Sequence, residues 1–101
     1  MKFKATVATC GDDAFGYSYP QAVMGRMAEG LPGASVSLDG REVGTVESAE
    51  ATPYRVTVWG EIAADVAGLY AVPVWMDLEV VGLILVPVPS DPNLTPVEMM
   101  E

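Results

Sequence analysis

Polar and apolar residues alternate along much of this chain, with the period of strands rather than helices. From Tyr54 onward, Tyr54, Val56, Val58 and Ile62 fall on one side, with Gly60 continuing the row, while Arg55, Thr57, Trp59 and Glu61 fall on the other. A period of two is that of a half-buried β-strand. The chain opens the same way: Phe3, Ala5 and Val7 face one side, and Lys2, Lys4, Thr6 and Ala8 the other. Between these runs, Asp39-Gly40 offers two successive positions that accept positive φ, which a type I′ turn needs, so it predicts a hairpin. Residues 34–62 therefore read as a three-strand meander. Within it, Val43-Gly44-Thr45-Val46 shifts the apolar period by one. Gly44 marks either a β-bulge or a close approach of another backbone, and a bulge is preferred because it lets a small sheet curl.

One segment breaks the period. Pro20 fits a first helical position, Val23 and Met27 stand four apart beside Met24, and Gly30 supplies a stop, which predicts a helix over 20–29. A helix this short is not stable alone and must pack on the sheet. Residues 69–76 predict a strand in which Pro73 cannot donate to a ladder, so it is an edge or bulged strand. Residues 79–88 predict a last strand with a nearly continuous apolar middle. From Pro89 the chain has neither period and reads as a Pro-rich tail over 89–101. The expected architecture is mostly β: a small antiparallel barrel or twisted sandwich of about six strands over residues 1–88, with the helix over an opening.

Composition sharpens this. A chain of 101 residues is one domain with one core. It is 50% apolar, with a mean hydropathy of +0.30. That is rich for so small a soluble protein, and either a Val-rich core or an exposed apolar patch for self-association or a partner accounts for it. Five basic residues stand against 14 acidic ones, a net charge of −9. Lys2, Lys4 and Arg26 leave residues 1–26 slightly basic, so the acid is concentrated beyond them. That balance argues against nucleic acid or an anionic membrane as partner, because phosphate contacts need Lys and Arg. The single cysteine permits no internal disulfide and suits a reducing compartment. No signal-like opening and no long apolar run predict export or a membrane span. The expected protein is soluble and not secreted through a signal peptide.

The chemistry on offer is sparse. With no histidine, the usual general base, the commonest metal ligand and every Ser-His or Cys-His pair are missing. Cys10 reads as a packed or inert thiol, Asp12-Asp13 as a solvated turn, and Glu47 and Glu61 as carboxylates that could face each other across strands. No glycine-rich phosphate loop is present. No enzyme, cofactor or metal is expected. The better candidates are interaction residues, since aromatic side chains carry much of the energy of interfaces. Trp59 is foremost, on the face opposite the main apolar row, either covered by the helix or exposed to a partner. Tyr70, Val72, Val74 and Trp75 lie on the predicted edge strand, and Leu94 and Val97 in the tail.

The order of elements resembles the core of the tailed-phage capsid-maturation proteases. The stretches that carry the likeness are Phe15-Gly-Tyr-Ser-Tyr-Pro20-Gln-Ala-Val23, Leu38-Asp-Gly-Arg-Glu-Val-Gly44-Thr-Val-Glu-Ser48, Gly60-Glu-Ile62 and Leu83-Ile-Leu-Val-Pro-Val-Pro-Ser-Asp-Pro92. That family works with a histidine and a serine, so here the resemblance implies a retained β scaffold without the protease, and Asp39 reads as a turn residue rather than a catalytic acid. The chain is also similar to small proteins of phages infecting actinobacteria. The expected function is that of a non-catalytic structural or assembly protein of a tailed phage, self-associating as a homo-oligomer or docking on another virion protein. The alternatives are an acidic phage protein that binds and inhibits a host protein, and a degenerate protease-like enzyme.

Overall fold

The computed structural model describes residues 1–11, 18–63, 66, 68–89 and 92–100. Its seven strands are β1 (Lys2–Thr9), β2 (Ser35–Leu38), β3 (Arg41–Ala51), β4 (Arg55–Ile62), β5 (Tyr70–Met76), β6 (Glu79–Val86) and β7 (Glu98–Met100), with one helix, α1 (Gln21–Gly30), between β1 and β2. They form a single sheet in the order β5-β6-β2-β3-β4-β1-β7, curled into a half-barrel. All its pairings are antiparallel except β2 with β6, which run parallel. The antiparallel expectation fails there because the chain leaves β4 for the far edge, and the β5–β6 hairpin then brings β6 back beside β2 in the same direction.

The meander forms as its pattern dictates. Asp39 and Gly40 take φ of 51° and 79° at the β2–β3 turn. At the β3–β4 turn, the Thr52 hydroxyl accepts from the Tyr54 and Arg55 amides at 3.2 and 3.1 Å, a local bond that fixes the reversal. Val56, Val58, Gly60 and Ile62 point into the core. There they meet Phe3, Val7, Val36, Val46 and Leu83, and Met24, Met27 and Leu31 of the helical segment close the concave side. Pro20 precedes the helix rather than beginning it, its carbonyl accepting from the Val23 and Met24 amides.

Four bulges bend the sheet, three of them in β1 and β3 and the fourth in β6. The β2–β3 register skips Val43, next to Gly44. Both readings of this site hold, because a Cβ on Gly44 would sit 2.2 Å from the Glu61 carbonyl oxygen. The β3–β4 register skips Glu47, so Glu47 and Ser48 both turn outward opposite Trp59. In β1 the register skips Val7, and Ala8 crosses from the polar side into the core. Increased twist at each bulge brings the sheet edges towards one another. The Val97 amide, just before β7, donates to the Leu69 carbonyl, just before β5, at 2.7 Å.

The C-terminal stretch is therefore part of the fold and not a loose tail. Leu94 and Val97 are 7% and 5% exposed, and β7 pairs with β1 from Lys2↔Met100 to Lys4↔Glu98. The fold holds seven strands instead of about six for this reason.

Candidate functional site

The convex surface of the sheet divides into an uncharged half and a charged half. On the uncharged half, Tyr70 pairs with Val86, Val72 with Ile84, and Val74 with Gly82, and these residues share the outer side of β5 and β6. Ser35 and Ser37 of β2 continue the same side, in parallel register with Gly82 and Ile84. Neither β5, β2 nor β6 beyond Glu79 contains a charged residue. The exposed side chains here include Val74, Met76, Val81 and Ile84. Val81 is exposed because the β5–β6 register skips it.

At the tip of this hairpin, Asp77 and Leu78 both take positive φ, 52° and 66°. The type I′ turn that joins strands so tightly favours Asn, Asp or Gly, and a leucine in that region is strained by its Cβ. Leu78 is 89% exposed. The positive φ at both positions is what so tight a hairpin turn requires, and the leucine meets it at a conformational cost. Behind the tip, Trp75 leaves the outer row and joins Val23, Arg26, Met27 and Glu79 around a groove of about 380 Å³ between α1 and the hairpin.

The charged half covers β1, β3, β4 and β7. Here the Lys2 ammonium donates to Glu47 at 2.6 Å and lies 3.2 Å from Glu61. The hydrogen bonds to Glu47 and Glu61 raise the Lys2 pKa above its usual 10.5. Any stabilisation from this group is thus present below that value and lost as pH climbs past the raised one, and solvent around the group keeps it minor. Glu47 and Glu61 do not meet each other as a bare carboxylate pair; the lysine joins them. Beyond them, Trp59 lies over a shallow concavity of about 430 Å³ with Lys4, Thr6, Arg55, Thr57 and Glu98 on its walls. The helix packs on the opposite side of the sheet, so it does not cover Trp59.

The structure thus brings Tyr70, Val72 and Val74 together on one face, with Trp75 at its rim. It places Trp59 on the other half, and buries Leu94 and Val97 where no partner of the folded chain reaches them. Sequence reasoning missed Met76, Leu78, Val81 and Ile84. The signal was present: between Leu69 and Val88 the only charges, Asp77 and Glu79, sit at the turn. Cys10 is an exposed free thiol and not a packed one. Asp12, Asp13, Phe15 and Tyr17 lie outside the described residues. Among the described residues no cluster of Cys, Asp or Glu could hold a metal ion, and no helix is long and apolar enough to cross a membrane. Comparison with protein-family models, with curated proteins and with solved structures gives no match.

Proposed function

We propose that this chain is a non-catalytic structural or assembly protein that works by docking its β5–β6 face on another protein surface. The observation that carries the reading is the uncharged outer side of β2, β5 and β6 on a chain of net charge −9. Acidic side chains keep the rest of the molecule soluble. On this face valine, isoleucine and methionine meet water instead, which is costly unless something covers them. The particle of a tailed phage is the setting that the sequence resemblance implies, with a second copy or another virion protein as the partner.

Affinity capture with the native chain and a Val74→Lys, Ile84→Lys double variant tests this. Both positions are partly exposed, so lysine is accommodated without unfolding, and an unchanged circular dichroism spectrum checks that point. The native chain is expected to retain a labelled second copy or a virion protein, and the variant to lose it. Retention of neither by the native chain would contradict the docking reading.

A further inference from the structure

We infer that the occupant of the β5–β6 face is a second copy of this chain, packed sheet against sheet across a two-fold axis. The inference rests on the docking reading above and names its partner.

Area is the first argument. Val74, Met76, Val81 and Ile84 on this face, with Leu78 at its tip, are between 36% and 89% exposed. Together they leave roughly 500 Å² accessible, within the range for the largest patch on a monomer and over half of the roughly 800 Å² each partner gives to a standard interface. The partly buried Tyr70, Val72 and Val86 lie on the same side.

Charge is the second. A basic partner would be drawn to the acids elsewhere on the molecule, and not to a face without any. Two chains of net charge −9 repel, and they meet most easily where neither presents a charge. Two copies related by a two-fold axis across this face bring no like charges into opposition. With that axis running across the strands, the hairpin tips point opposite ways, and Asp77 and Glu79 of the two copies fall at opposite ends.

The third argument separates face from edge. β5 is a terminal strand of the sheet, and a terminal strand is a template for another. Pro73, however, sits in the middle of β5 and offers no N–H, and the carbonyl of Leu69 at its start already accepts from Val97. Edge pairing is thereby blunted while the outer side stays open. An isologous contact also closes on itself, so one patch gives a dimer rather than a fibre.

Self-cross-linking tests the geometry. In a Cys10→Ser background, Val74→Cys near the axis is expected to join two copies through a short bismaleimide, and Thr57→Cys on the charged half is not. Sedimentation equilibrium should give twice the 10.7 kDa chain mass for the native protein. Val74→Lys with Ile84→Lys should raise the dissociation constant at least about 100-fold, since lysines then meet at a desolvated centre. A native chain that stays monomeric at about 100 µM overturns the inference. So does a dimer that ignores both lysines, or one that cross-links through Thr57→Cys instead. If the monomer still captures a different protein through this face, only the second copy is refuted; if it captures nothing, the docking reading falls with it.

Discussion

Gly60 shows how little room the curled sheet leaves at its centre. A Cβ there would lie 2.1 Å from the Thr45 carbonyl oxygen and 2.8 Å from the Phe3 ring. Backbone and a fully buried aromatic ring cannot both retreat, so Gly60→Ala is expected to destabilise the fold by about 3 kcal/mol or more, read by chemical denaturation. Leu78 is the opposite case, a side chain at a position that favours none. Leu78→Gly removes the positive-φ strain and is expected to stabilise the chain by about 1 kcal/mol, raising Tm by roughly 4–8 °C. The same substitution removes the most exposed apolar side chain from the proposed interface, so the gain in stability should come with weaker self-association. Stability and docking moving together would count against a functional role for this leucine.

At the scale of elements, the alternation of Arg55 to Ile62 was legible because each side chain of β4 has one face or the other to occupy, and both the buried row and the position of Trp59 follow from it. What no alternation reveals is which side the helix covers, since Val23, Met24 and Met27 pack equally well on any apolar surface. Trp59 was ambiguous for that reason. The last strand was illegible for a different one. Three residues, Glu98 to Met100, are too few to show a period, and Leu94 and Val97 stand among Pro, Asn and Thr that read as loop. The parallel β2–β6 pairing escapes too, because it joins strands over 40 residues apart in sequence. Burial of Val97 in the core, with its amide bonded to Leu69, makes the C-terminal stretch structural. Val97→Asp should therefore cost about 3 kcal/mol by leaving an unpaired charge in the core, whereas Pro96→Ala next to it, exposed, should change stability by less than about 0.5 kcal/mol. Equal effects at the two positions would show that residues 92–100 do not hold the sheet.

On the scale of the whole molecule, charge and apolar surface are sorted to different halves of one curved sheet. The Lys2–Glu47–Glu61 group and the Trp59 concavity occupy one half, and the β5–β6 face the other. Sorting of this kind sets the direction of a salt effect. Pairing of opposite charges weakens as ions screen it, but association through an uncharged face between two acidic chains strengthens, because only the long-range repulsion is screened. The most direct measurement is the mass of the native chain by size-exclusion chromatography with light scattering, at about 50 mM and about 500 mM salt. A mass above 10.7 kDa at the lower salt that rises towards twice 10.7 kDa at the higher is the predicted result. A mass of 10.7 kDa throughout, or a dimer that salt dissolves, would contradict the account.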